Sequence, residues 1–345
     1  MSAVMRSAGS LVQWAFPTVA VRLKLIKHRM AQWRKAWMHA GDARLTFRHM
    51  EWRQRRDLSV IEAELIFQYH KIEKGLCMPP PRRFFGVEPA KKTVALLAEW
   101  VHAGGRTDTP AYVGALEAMR SYAAALAVQP PPPDVAAWML PMLDRLLAAR
   151  PRSVVGYDTP MRPVQCDAGT AEVFGTLMNA RRSVRHYTDQ AVPPAVIEQC
   201  ISVAQLSPSA CNRQPWFVHV YTRPEQIKAM LRLQNGNAGF GHQLKTLLVV
   251  TADRRSFFDA TERNEPYVDG GLFAMSLILA LQSHGVASCC LNWCVDTDKD
   301  RAAHATGDIA DHEAIVMYLA VGYADESAVV PRSARKATRA VMVAH

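Results

Sequence analysis

Arg181-Arg182-Ser183-Val184-Arg185-His186-Tyr187 and Ser207-Pro208-Ser209-Ala210-Cys211-Asn212-Arg213-Gln214-Pro215-Trp216 are the stretches from which the rest of the chain can be read. The first puts three guanidiniums and a hydroxyl within five residues. That density suits a phosphate, because the Arg fork donates bidentately to oxyanions. In the second, small residues allow the backbone to approach a ligand closely, and Asn212 can both donate and accept hydrogen bonds. Around them, short β-branched or apolar runs at 217–221, 247–251, 286–291 and 315–321 alternate with helical patterns at 172–181, 194–206, 224–233, 268–284 and 297–305. The alternation predicts an α+β or α/β domain built around a sheet. Asp269-Gly270-Gly271 opens the 268–284 pattern, and Asp269 is expected as its N-cap.

Upstream the pattern is helical. Apolar Leu23, Ile26, Met30, Trp33 and Trp37 recur at spacings of three and four, with Arg22, Lys24, Lys27, Arg29, Arg34 and Lys35 mostly on other faces. This is a basic amphipathic helix. A second runs from Ser59, its expected N-cap, to Gly75, its expected C′ residue. Further helices are expected at 90–103, 111–127 and 134–149, the last two separated by Pro130–Pro133, which form an extended spacer. The chain therefore divides into a basic amphipathic segment at 1–57, a helical domain at 58–150, a proline-rich linker at 151–169 and the sheet domain at 170–345.

The net charge of +10 is local. Residues 1–60 hold twelve Lys/Arg against three acids, leaving 29 bases against 28 acids in the rest. Any affinity for anionic partners belongs to the N-terminus, and nucleic acid is not expected, since the remainder offers no second basic surface. Seven cysteines lack both a disulfide framework and paired C-x-x-C knuckles, so free thiols and no metal are expected. Cys289, Cys290 and Cys294 read as small strand residues rather than ligands or nucleophiles. No apolar run approaches bilayer length, and Trp14, Gln13 and Pro17 interrupt the only candidate signal stretch. The expected location is the cytoplasm, with residues 21–40 a candidate for peripheral contact with the inner face of the membrane.

No G-x-G-x-x-G follows a strand, and no P-loop or H-E-x-x-H occurs. Instead, four segments in order resemble the nitroreductase family over most of residues 171–345. R-R-S-x-R-x-[FY] at 181–187 is similar to its opening signature, and 207–216 to its S-P-S-x-x-N-x-Q-P-W loop. Gly285 to Trp293 resembles the strand and turn beneath the flavin, although Asn292-Trp293 stands where some members carry Glu-Gly. Gly322-Tyr323 with Arg335-Lys336 resembles the G-Y-P…R-K tail. The resemblance implies an α+β domain with a mostly antiparallel sheet flanked by helices. It also implies FMN as cofactor, NAD(P)H as reductant, a small electron-poor acceptor, and a homodimer in which the 207–216 loop reaches the neighbour's flavin.

The flavin contacts it implies are Arg181, Arg182, Ser183, Arg185, Pro208, Ser209, Ala210, Asn212, Asn237, Cys290, Leu291, Asn292, Arg335 and Lys336. No side-chain acid or base is demanded, and no catalytic residue is assigned. Tyr69-His70-Lys71-Ile72-Glu73-Lys74-Gly75-Leu76, followed by Arg82-Arg83-Phe84-Phe85-Gly86, resembles an N-terminal extension of nitroreductase-like proteins associated with polysaccharide biosynthesis. His70, Glu73 and Lys74 share one helix face. An interdomain contact is the preferred reading of that face, and substrate contact the second. Two alternatives to the acceptor reductase stay open: a flavin-dependent dehydrogenase or oxidase of a biosynthetic intermediate, and a non-catalytic scaffold that retains the fold.

Overall fold

The computed structural model describes residues 17–52, 56–79, 84–149, 154, 156–157 and 159–345. Arg82 and Arg83, residues 1–16 and the side chains of Leu23, Lys24 and Arg34 lie outside the described residues. Among the described residues the N-terminal half is helical: α1 (Pro17–Ala36), α2 (Met38–His49), α3 (Leu58–Leu76), α4 (Val87–His102), α5 (Pro110–Val128) and α6 (Pro133–Ala148). The C-terminal half interleaves α7 (Ala168–Ala180), α8 (Pro194–Ala204), β1 (Trp216–Tyr221), α9 (Pro224–Leu233), β2 (Thr246–Asp253), α10 (Glu265–Ser283), β3 (Ala287–Leu291), α11 (Thr297–Gly307) and β4 (Glu313–Gly322). The four strands form one antiparallel sheet in the order β1-β2-β4-β3. The fold is α+β.

Why the sheet strands read as apolar runs is visible in β2, where all eight residues are buried. Alternation still sorts its side chains by face. Leu248 and Val250 pack with Ile197 and Cys200 of α8 and Phe273, Leu277 and Leu281 of α10. Leu247 and Val249 pack with Ile227, Met230 and Ala303 of α9 and α11. Gly270 lets α10 approach the sheet, since a Cβ there would lie 2.6 Å from Val316 Cγ2.

The helical half has its own core. Ile61, Leu65 and Tyr69 of α3 meet Leu97 and Trp100 of α4 and Leu116 of α5, and Ile72 meets Tyr122, Met139 and Leu143 further along. The expected caps shift slightly: Asp57, not Ser59, accepts from Val60 N, and the helix runs through Gly75 and Leu76 to a cap at Cys77. Gly75 is required by packing instead, because the Phe85 ring occupies the place of its missing Cβ, 2.0 Å from Cε2.

The two halves meet at an aromatic joint. Trp52, Phe67 and Phe258 lie with ring centroids 5.6–5.9 Å apart, and Trp52 Nε1 donates to Arg255 O at 2.8 Å. Arg48 pairs with Asp311 at 3.1 Å, so the second half of the basic N-terminal segment is docked on the sheet domain.

Candidate functional site

The first half of the site is built where the chain leaves α7. Arg182 Nη1 donates back to the carbonyls of Asn179 and Arg181, satisfying the helix C-terminus that Arg side chains commonly cap. Ser183 then pairs with Ser288 in a parallel bridge, Val184 N donating to Ser288 O at 3.1 Å. This lays the Arg-rich segment along β3. The Ser183 hydroxyl is hydrogen-bonded to Cys289, and Arg185 and Arg181 are close enough to act on the Cys289 and Cys290 thiols respectively. Desolvation nonetheless raises both thiols above the ordinary range, which argues against a reactive thiolate. Arg181 Nε is buried and finds no acceptor among the described residues. A buried guanidinium nitrogen without a partner is costly, and an anion would satisfy it.

Beyond β3 the chain turns at Asn292, whose carbonyl accepts from Gln234 Nε2 at 2.9 Å, while Asn235 Nδ2 donates to Cys294 O at 3.1 Å. The 234–237 segment is thus brought beside the end of β3. Asn237 itself spends its amide on the carbonyls of Leu231 and Gln234, at 2.8 and 2.9 Å. Trp293 turns inward: its ring stacks on Tyr318 at 4.7 Å and its Nε1 donates to Asp300 at 2.7 Å. The indole is half-buried and packs against the core.

The second half is the 207–216 loop. Its backbone is held in the left-handed region at Cys211, Asn212 and Gln214, with φ of 52°, 58° and 49°. Such conformations cost about 1–3 kcal/mol each for residues with a Cβ and persist only when surroundings impose them. Two side chains impose them here. Asp269 accepts from Ala210 N with both carboxylate oxygens at 3.1 Å, and Arg213 Nε donates to Ala210 O at 2.8 Å. Arg213 is bidentate to Glu262 at 2.6 and 2.8 Å and lies among Trp52, Phe67, Phe257 and Phe258, centroids 4.9–6.0 Å away. Ser209 Oγ also accepts from Gln214 N at 3.0 Å. The loop is therefore anchored at the aromatic joint, and the helical half buttresses it.

Asp269 is not an N-cap. It lies one turn inside α10 and is buried, and burial pushes its carboxyl up to about 6 despite the Ala210 N–H. Sequence reasoning missed Arg213 and Glu262 as the loop's anchors. No local signal marked them, since both stand among polar residues, 49 positions apart.

A cleft of about 770 Å³ opens between this loop and α3. Asn212, Gln214 and Trp216 form one wall, with Glu62, Tyr69 and Glu73 of α3 opposite and Tyr157 at the rim. Glu73 accepts from His70 Nδ1 at 3.0 Å, and burial raises the Glu62 carboxyl. Lys74 is exposed. In the tail, Arg335 Nη1 donates to Ser333 O at 2.6 Å, and Arg335 and Lys336 are both exposed. Among the described residues no cluster of His, Cys, Asp or Glu could hold a metal, and no helix is long and apolar enough to cross a membrane.

An Arg-Ser segment laid along an edge strand, with a buried Arg181 Nε that finds no acceptor among the described residues, gives this α+β domain a corner suited to an anion, and a strained polar loop stands over a separate cleft. The nitroreductase family model matches residues 178–236 and 227–323, and the C-terminal half of the chain carries a nitroreductase-family domain. The chain is 24% identical over 219 residues to the nitroreductase NfnB of Mycolicibacterium smegmatis, covering 50% of this chain and 91% of that one. It is 26% identical to a 4-nitrobenzoate reductase of Pseudomonas putida, covering 46% and 88%. A crystal structure of a nitroreductase with bound FMN from Bacteroides fragilis is similar over 49% of this chain and 97% of that one, at 19% identity and a TM-score of 0.40. The family is one of oxidoreductases.

Proposed function

We propose that the chain is a homodimeric, FMN-dependent oxidoreductase that passes electrons from NAD(P)H to a small electron-poor acceptor. The observation that carries this reading is the buried, partnerless Arg181 Nε beside Ser183 and Arg185. These residues fit a flavin phosphate and the oxygen-rich edge of the ring, with Cys290, Leu291 and Asn292 beneath it. Arg335 and Lys336 would close over the phosphate from a tail that is exposed in a single copy. Bound FMN would supply the redox chemistry; the protein supplies position and charge.

In this reading Arg181 and Arg185 would hold the anionic group of the cofactor. Pro208, Ser209, Ala210 and Asn212 belong to the loop that serves the neighbouring subunit. The dimer is supported by apolar surface on the sheet domain: Val173, Phe174 and Met178 of α7 and Val268 and Leu272 of α10 are all exposed. The acceptor would enter the cleft between that loop and α3, where the helical half forms a wall. The polar lining of this cleft, with Glu62, Glu73, Tyr69 and Tyr157, also favours a second reading. In it the substrate is a hydroxyl-rich biosynthetic intermediate that the enzyme dehydrogenates.

The test is purification with flavin absorbance, followed by Arg181→Ala with Arg185→Ala. The double variant should lose FMN while keeping the far-ultraviolet spectrum of the folded chain. Unchanged flavin stoichiometry would remove the assignment, and a colourless wild type that takes up no FMN would leave the fold as a scaffold. Rapid bleaching by NADH distinguishes the acceptor reductase from the dehydrogenase.

A further inference from the structure

Helix α1 presents an unusual surface. Every side chain described between residues 21 and 37 is exposed. Ile26, Met30, Trp33 and Trp37 are 53%, 66%, 71% and 73% exposed, although they lie within an arc of roughly 60° at 3.6 residues per turn. The aromatic and apolar stripe therefore does not pack on the helical half of its own chain. An isolated helix of this length is marginal in water, since most helical stability in proteins comes from burying an apolar face. The face needs a surface to lie on.

The charge pattern selects which surface. Arg22 and Arg29 flank the stripe on one side and Lys27 on the other, all exposed. No acidic residue occurs before Asp42, whereas six bases lie between 21 and 40. A second copy of this chain would set those bases against their equals. A nucleic acid would leave the tryptophans in water, and the remainder of the chain is close to neutral. Anionic lipid satisfies both halves of the pattern, because tryptophan favours the headgroup zone and bases at the boundary meet lipid phosphates. We propose that α1 lies in the headgroup zone of an anionic membrane surface and tethers the oxidoreductase there. Helix α2 transmits the tether, being fixed to the sheet domain through the Arg48–Asp311 pair.

The experiment is co-sedimentation of the full-length protein with phosphatidylcholine vesicles, with and without phosphatidylserine, at low and high salt. Wild type should partition to the serine-containing vesicles at low salt and be released at about 1 M, where the screening length falls to roughly 3 Å. Lys27→Gln and Arg29→Gln should each lower the partition coefficient about fivefold. Trp33→Ser with Trp37→Ser should lower it further, with an unchanged circular dichroism spectrum, because both side chains are exposed in the folded chain. Equal binding to neutral vesicles, or no binding, would overturn the tether. So would a tryptophan variant that changed only the molar mass in light scattering, which would assign the stripe to a second copy. Tighter binding to a DNA duplex than to serine-containing vesicles would also overturn it.

Discussion

Asp269 shows how a single residue changes meaning between sequence and fold. Beside two glycines it reads as a cap; in the structure it is a buried carboxyl holding Ala210 N at 3.1 Å. Its folded value of about 6 exceeds the ordinary 3.8, because burial outweighs the N–H it accepts. A raised acid stabilises the folded state fully only below the unfolded value, and that stability is lost as pH rises through about 6. Asp269→Asn keeps an acceptor for Ala210 without the charge. Its melting temperature should therefore approach that of wild type near pH 4 and exceed it increasingly up to about pH 7. A constant difference across that range would show that Asp269 does not titrate there. Arg213 is the complementary case. Truncating one partner of a buried, hydrogen-bonded pair costs about 3–5 kcal/mol. Arg213→Ala should lower the unfolding free energy by that order in urea titration, whereas a loss under about 1 kcal/mol would mean that Glu262 finds another partner.

At the scale of elements the sequence was most legible where periodicity is strong. All four strands and the helices around them were expected within a few residues of where they lie, because nearly all of them bury a face and their apolar spacing says so. Helix starts were less legible, since Asp57 and Ser59 are both competent caps and only the backbone decides. The 70–76 motif was legible as a helix but not in its purpose. Gly75 makes room for Phe85, and His70 engages Glu73 on the cleft wall. Gly75→Ala should destabilise the helical half by about 1–3 kcal/mol through overpacking. Pairing it with Phe85→Leu should recover part of that loss. If the two effects simply add, the ring and the glycine are not coupled.

At the scale of the molecule, the reading of a flavin held between two subunits predicts a stoichiometry. Light scattering with absorbance should give two chains and two FMN per particle, and Phe174→Asp with Leu272→Asp on the exposed faces of α7 and α10 should shift the mass to a monomer with reduced flavin content. A wild-type monomer saturated with flavin would contradict the dimer. The sequence by itself determined an alternating helix–strand domain, the order of its elements, the position of the arginine-rich segment and the confinement of positive charge to the N-terminus. Those properties follow from local spacing and composition, which any folded arrangement must respect. Only the tertiary structure decided that Arg182 caps a helix while the Nε of Arg181 is buried without a partner among the described residues. It alone turned Trp293 onto Tyr318, and it alone clamped the 207–216 loop between Asp269 and Arg213 against the helical half. Each of these depends on which group finds a partner once burial removes water, and pairs such as Trp293 with Tyr318 or Asp269 with Ala210, tens of residues apart, leave no periodic trace along the chain.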